Sequence, residues 1–330
     1  MLLLNRIWLS ESIVLRINIV IVLSLTLACN GAPPANSNKF YTWDGLEPDR
    51  WATVWLMNRH ITQGAHIDIV PVGVSLSNST VIATPHAEIT RTHGKSTYEN
   101  MLAAYNIDDD HALSRIGNII NRIEISPWAQ SSPTVSLIER QFRNLQYDYN
   151  RVNVPISCYS GFFDSLYSEL QESETPDLHE LEAALAPSKV CSNHKGVIAN
   201  NPVNRVFEYS TDHVLNLIAS ERKVVFVDTR ENDEFKERRI PGAINLKLRE
   251  VNEESVAQIK DADLVIAYCI KDFRGYEVAL AMSKAGVSNV GIMNPFGLKG
   301  WIDQGLPIVD SNVTEARALD LLREKALTGV

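Results

Sequence analysis

Cys269 and Arg274 frame the stretch most able to do chemistry, LVIAYCIKDFRGYEVALAM, with Ile270, Lys271, Asp272 and Phe273 between them. Leu264 to Tyr268 is a short apolar run that reads as a buried strand, and Val278, Ala279 and Met282 have helical spacing. The turn between them therefore lies at the carboxyl end of a strand and the amino end of a helix, where backbone amides and the helix dipole stabilise an anion. A thiolate there is a nucleophile, and the expectation is a depressed thiol pKa. The competing reading is a cysteine packed as a small hydrophobe.

The elements that must position this turn lie on both sides of it. Asp228, Thr229 and Arg230 close the apolar run Val224 to Val227; Ile240, Pro241 and Gly242 follow; Gly297, Gly300, Trp301, Gly305, Leu306 and Pro307 come after the cysteine. As VVFVDTRENDEFKERRIPGAIN, YCIKDFRGYEVA and GLKGWIDQGLPI, this order resembles the rhodanese family from Val203 to Asp310. The resemblance implies an α/β domain, a parallel sheet with helices on both faces. It also implies Cys269 as the catalytic nucleophile that accepts a sulfane sulfur as a persulfide. Ile270, Lys271, Asp272, Phe273 and Arg274 are then the substrate-binding loop, with Asp228 and Arg230 as its support. The C-x4-R spacing resembles sulfurtransferases, whereas related phosphatases use C-x5-R, and a longer loop widens the amide nest to fit phosphate. Arg238 and Arg239 replace the family's Gly-His, and the loop has no glycine between Cys269 and Arg274, so the preferred donor need not be thiosulfate. Arg274 either attracts an anionic donor or pairs with a carboxylate inside the domain.

The composition, 45% hydrophobic and 22% charged over 330 residues, is an ordinary globular balance for about two domains. A net charge of -9 argues against nucleic-acid binding, which needs a basic face. Arg6 and Arg16 precede INIVIVLSLTLA, an uncharged run too short to span a bilayer and suited to a signal peptide over residues 1–28. The TLAC ending resembles a lipoprotein lipobox, with Cys29 lipidated and residues 29–39 a tether. This predicts an exported protein anchored by lipid on the periplasmic side of the envelope. Because Asn30 is not an inner-membrane retention aspartate, the outer membrane is favoured. With Cys29 and Cys269 assigned, Cys158 and Cys191 are left as a candidate disulfide, the rival being that one of them resolves a persulfide on Cys269.

The preceding domain, residues 40–200, reads as mostly helical α+β. The predicted elements include a strand over Val74 to Ala83, a helix started at Asp108 or Asp109 with a stripe of Leu113, Ile116, Ile119, Ile120 and Ile123, and helices over Thr134 to Tyr149, Ser157 to Leu170 and Leu178 to Leu185. FYTWDG, WATVWLMNRHI and THGKSTYENMLAAYNIDDDHALSRIGNIINRIEI resemble the chromate-resistance family, which implies a role under oxyanion or metal stress. Arg91 and His93 are a candidate anion site, while His86, Glu88 and His93 match no defined metal motif, so no metal or other cofactor is assigned. The second domain, 203–310, alternates strand and helix, including a helix over Val251 to Ile259, and residues 311–330 add a terminal amphipathic helix. The reading is thus a sulfurtransferase of the envelope that serves a small sulfur donor and a thiol acceptor. Its rival is an oxyanion-binding, metal-binding or thiol-sensing lipoprotein in which the rhodanese fold is a docking module.

Overall fold

The structure is a computed structural model that describes residues 38–71, 74, 76, 80–128, 132–151, 154–191 and 206–328. The signal peptide, Cys29, most of the tether and the linker near residue 200 lie outside the described residues.

The amino-terminal part begins with β1 (Lys39–Trp43), which pairs in parallel with β2 (His66–Val70); α1 (Pro48–Leu56) lies between them. Next come α2 (Thr97–Ala104), α3 (His111–Ile120), α4 (Pro133–Tyr147), α5 (Ile156–Glu172), α6 (Leu178–Ala184) and α7 (Pro187–Val190). α2 starts at Ser96, whose hydroxyl accepts from the Glu99 amide while the Glu99 carboxylate accepts from the Ser96 amide, a reciprocal cap. α3 starts one or two residues later than its acidic lead suggests, because Asp110 accepts from the Leu113 amide at 3.0 Å. α1 and α3 each run on into a π-helical turn, Met57–Ile61 and Asn121–Ile125. α5 packs against α1 and α3, burying Cys158, Tyr159, Phe162, Phe163 and Leu166. No strand spans Val74 to Ala83 among the described residues: the chain there meets the β1 backbone at Tyr41, whose amide donates to Thr80 and whose carbonyl accepts from Ile82, and the Trp43 indole donates to the Val74 carbonyl at 3.2 Å.

The carboxy-terminal part comprises β3 (Phe207–Ser210), α8 (Thr211–Ala219), β4 (Val224–Asp228), α9 (Asn232–Glu237), β5 (Ile244–Asn245), β6 (Leu264–Tyr268), α10 (Phe273–Lys284), β7 (Val290–Asn294), α11 (Gly297–Asp303) and α12 (Glu315–Thr328). Its five strands are all parallel, in the order β3-β7-β6-β4-β5, so β6 is central. β6 alternates: Leu264, Ile266 and Tyr268 join the core built with α8, α11 and α12, and Val265 and Ala267 join the one built with α10. The helix expected over Val251 to Ile259 is reduced to a short 3-10 turn, Ala257–Ile259. Asn252 is the reason: its side chain accepts from the amides of Glu254 and Ser255, an Asx turn that competes with the helix.

Ser37–Val330 form one compact unit, and the α10 face of the sheet shares its hydrophobic core with the helices of the first part. The two parts therefore meet on the face of the sheet that carries the helix following Cys269. No helix among the described residues is long and apolar enough to cross a membrane.

Candidate active site at Cys269

Cys269 follows β6, whose five residues are all buried, and α10 starts at Phe273, so Arg274 occupies the first turn of that helix. The loop is pinned from behind by α11: the Leu298 amide donates to the Cys269 carbonyl and the Lys299 amide to the Ile270 carbonyl, both at 2.9 Å. Gly297 makes this approach possible, since its φ is +65° and a Cβ there would lie 1.7 Å from the Lys271 carbonyl oxygen. Asp228 and Arg230 brace the neighbouring strand. Arg230 Nε donates to both Asp228 carboxylate oxygens, at 3.0 and 3.2 Å, and its Nη2 donates to the Arg238 carbonyl. The Thr229 amide then donates to the Tyr268 carbonyl, tying that brace to the residue before the cysteine.

The side chains of the loop divide between two tasks. Ile270, Lys271, Phe273 and Arg274 line a small chamber at Cys269, of about 10 Å3, enough for about one water-sized atom. Asp272 does not line it, although the sequence places it in the substrate-binding loop. It is 1% exposed and pairs with Arg151 at 2.7 Å and, more closely, with Arg143 of α4. Arg143 is in turn held between the rings of Phe273 and Phe296, 4.3 and 4.2 Å from their centroids. Lys271 pairs with Glu139 of α4 at 3.1 Å. The loop is thus clamped by the first part of the chain.

The remaining walls of the chamber also come from the first part: Glu47, Arg91 and Glu124. Arg91 Nη2 lies 2.8 Å from Glu47, 3.4 Å from Asp49 and 3.3 Å from Glu124. Arg274 lies 3.3 Å from Glu234 of α9 and 3.9 Å from Glu47, while Arg50 hydrogen-bonds Glu47. Of the two roles expected of Arg274, the described contacts are those of pairing with carboxylates, one inside its own domain, Glu234, and one in the first part of the chain, Glu47. Asp49 additionally caps α2, accepting from the Thr97 and Tyr98 amides at 2.9 Å each. Through Nη2 Arg91 faces carboxylates, whereas His93, the other member of the expected anion site, is exposed. Glu47, Arg91 and Arg274 also line a larger cleft of about 350 Å3 that adjoins the chamber.

The electrostatics correct the expected thiol. Cys269 is 4% exposed, and burial raises its pKa; the Arg274 charge and the Gly275 amide pull the other way without prevailing. Burial also pushes Glu124 up to about 8, against the pull of Arg91 and with Glu47 and Asp49 adding to the rise. For Glu47 burial is outweighed by Arg91, Arg50 and Arg274, which hold it at about 2. Sequence reasoning passed over Glu124. Its signal was present, because Glu124 continues the buried stripe of Leu113, Ile116 and Ile120 at helical spacing, a carboxylate where a hydrophobe belongs.

Elsewhere, Cys158 and Cys191 are joined by a disulfide that fastens α5 to the end of α7, and Cys269 is the free cysteine among the described residues. His86 lines the larger cleft, and among the described residues no three His, Cys, Asp or Glu side chains converge as metal ligands.

Residues 40–170 match the family described as ChrB, C-terminal domain, and residues 210–304 match the rhodanese-like domain. The uncharacterized protein YibN of Escherichia coli strain K12 is 31% identical over 98 residues, 28% of this chain and 65% of the relative's length. The chain thus spans about two thirds of that relative. Thiosulfate sulfurtransferase from Pseudomonas aeruginosa is 22% identical over 33% of this chain and 21% of its own, with a TM-score of 0.28. A rhodanese with anions from E. coli is 28% identical over 27% and 99% of the two chains, with a TM-score of 0.23. The chain therefore carries a ChrB C-terminal domain followed by a rhodanese-like domain.

Proposed function

We propose that this protein is a sulfurtransferase that forms a persulfide on Cys269 and passes the sulfane sulfur to a thiophilic acceptor. The observation that carries the reading is the placement of Cys269: a free thiol at the carboxyl end of the central strand, beside Arg274 and the amino end of α10, facing a chamber with room for about one atom. A transferred sulfur atom suits that space, whereas the body of a donor has to remain in the adjoining cleft. In the first half-reaction Cys269 Sγ attacks the terminal sulfur of the donor, and in the second an acceptor thiol or cyanide removes it. Arg274 favours the anionic forms of both the cysteine and its persulfide.

Location at the cell envelope behind a lipid on Cys29, and service under chromate or other oxyanion stress, belong to the same proposal. The ChrB match and the Cys158–Cys191 disulfide, which an oxidising compartment sustains, support them. The test is thiosulfate:cyanide turnover by the purified protein, expected to vanish in Cys269→Ser. An equal rate in that variant would refute the assignment.

A second reading, a thiol sensor or docking module, draws support from the burial of Cys269, which raises its pKa, and from the pairing of Arg274 with carboxylates. Under that reading no donor leaves sulfur on the protein, and calorimetric titration with chromate or divalent metals gives heat of binding.

A further inference from the structure

We propose that Glu124, from the amino-terminal domain, is a catalytic residue of the sulfur-transfer site, taking the proton of the Cys269 thiol and returning it to the leaving group. The inference deepens the sulfurtransferase reading and rests on it.

Three observations carry it. First, Glu124 and Cys269 line the same chamber, which at about 10 Å3 holds about one water-sized atom. Second, both side chains are almost wholly buried, at 6% and 4% exposure, so Glu124 is a carboxyl that shares the sheltered surroundings of the thiol. Third, the charges around the chamber do not balance. Arg91 faces three carboxylates, Glu47, Asp49 and Glu124, and Arg274 is shared between Glu234 and Glu47. Glu47 has Arg50, Arg91 and Arg274 around it, and Asp49 holds the amides of α2, whereas among the described residues Glu124 accepts from the shared Arg91 and, at a long 3.5 Å, from the Asp49 amide, with Arg274 acting on it as a more distant charge. It is the carboxyl of the group left free to change its protonation state. Its position in a π-helical turn, outside the regular α3 helix, aims a side chain of the buried stripe at the neighbouring domain.

The chemistry balances within the site. The Glu124 carboxylate accepts the thiol proton as Sγ attacks the terminal sulfur of the donor. The bond from Sγ to that sulfur forms, and the bond from it to the leaving group breaks. The leaving group departs with the bonding pair and receives the proton from Glu124. No other oxidant, reductant or base enters. A carboxyl raised to about 8 lies closer to the range of a thiol that burial has also raised than an ordinary carboxyl does, which lowers the cost of the transfer.

The working form of the pair shares one proton. The rate of persulfide formation should therefore rise with pH through about 8, the range of Glu124, and not through the higher range of the thiol. In Glu124→Gln, which keeps the shape and loses the base, we expect kcat/KM with thiosulfate and cyanide near neutral pH to fall by about 100-fold, the usual share of a general base, and the rise to move to the thiol range. A second readout does not depend on sulfur transfer: alkylation of Cys269 by iodoacetamide, followed by mass spectrometry of its peptide, should show the same shift of its pH profile. If turnover is absent in the wild type while alkylation shifts, the proton coupling stands and the sulfurtransferase reading fails. If the profiles of the wild type and Glu124→Gln superimpose in both assays, the proposal is overturned. Should the Gln variant lose its native circular dichroism, Glu124→Asp decides, because it restores a carboxyl. It should keep the limb near 8 at a lower rate, and a profile rising only in the thiol range overturns the proposal.

Discussion

Substituting Asp272 by Asn tests whether the cysteine loop is built on the amino-terminal domain. Asp272 is 1% exposed and faces Arg143 and Arg151, whose side chains are 8% and 3% exposed. Burial alone would raise the Asp272 carboxyl, but the two arginines outweigh it and hold it below its ordinary value. Neutralising Asp272 leaves two guanidinium groups in a low-dielectric interface, with Arg143 held by Glu139 at 2.8 Å and Arg151 facing Glu208 at the longer distance of 3.7 Å. Removing one partner of a buried ion pair costs about 3 to 5 kcal/mol. At an unfolding entropy of roughly 2.1 cal/mol/K per residue across Ser37–Val330, that loss lowers Tm by about 5 to 8 °C. Calorimetry of the wild type and Asp272→Asn reads it directly, and Arg222→Gln, at an exposed pair with Asp263, is the control, expected to cost under about 1 kcal/mol. If Asp272→Asn costs no more than the control, the interface is solvated and the clamp on the loop does not exist.

Breaking the disulfide in Cys158→Ser/Cys191→Ser opens a span of 33 residues and should cost about 3 to 4 kcal/mol by chain entropy while leaving alkylation of Cys269 unchanged; a changed rate would revive a resolving role for one of the pair. Arg274→Met removes the main charge that opposes the raised Cys269 pKa, so persulfide formation near neutral pH should slow by about 10- to 100-fold, as followed by stopped-flow; an unchanged rate would show that Arg274 serves only Glu234 and Glu47. Stability should depend on pH in two opposed windows. Glu124 and Glu277, raised by burial to about 8 and about 7, stabilise the fold fully below 4.5 and lose that contribution as pH climbs through those values. Glu47 and Glu234, which arginines hold at about 2 despite burial, contribute above 4.5 and lose it as pH falls toward 2. Between about pH 5 and pH 8 the first pair dominates, so Tm should fall with rising pH and fall less in Glu124→Gln; a flat wild-type profile would count against the buried carboxyls.

The carboxy-terminal fold was legible because β6 and α10 obey local rules. A run of apolar residues ends at a cysteine, helical spacing resumes a few residues later, and the surrounding DTR, IPG and GLKGW segments fix the order of the elements. The reciprocal cap of Ser96 and Glu99 that starts α2 is local in the same way. What the sequence could not convey were relations between residues far apart in the chain. Asp272 reads as part of a substrate loop until Arg143 and Arg151 stand opposite it. Arg91 reads as an anion ligand until Glu47, Asp49 and Glu124 surround it. The pKa of Cys269 was misjudged for the same reason. The turn supplies the helix end and the arginine, but the amino-terminal domain closes the chamber, and burial outweighs both. Local competition misled in one place, at residues 251–259, where Asn252 draws the backbone into a turn that apolar spacing alone does not reveal.

The central claim, that Cys269 carries sulfur, is tested most directly by mass spectrometry of the full chain after incubation with thiosulfate and removal of free donor. The account predicts a mass gain of one sulfur atom, located on the peptide that contains Cys269, lost on addition of cyanide and absent from Cys269→Ser. A wild-type chain whose mass is unchanged by thiosulfate and by an organic persulfide alike would contradict it.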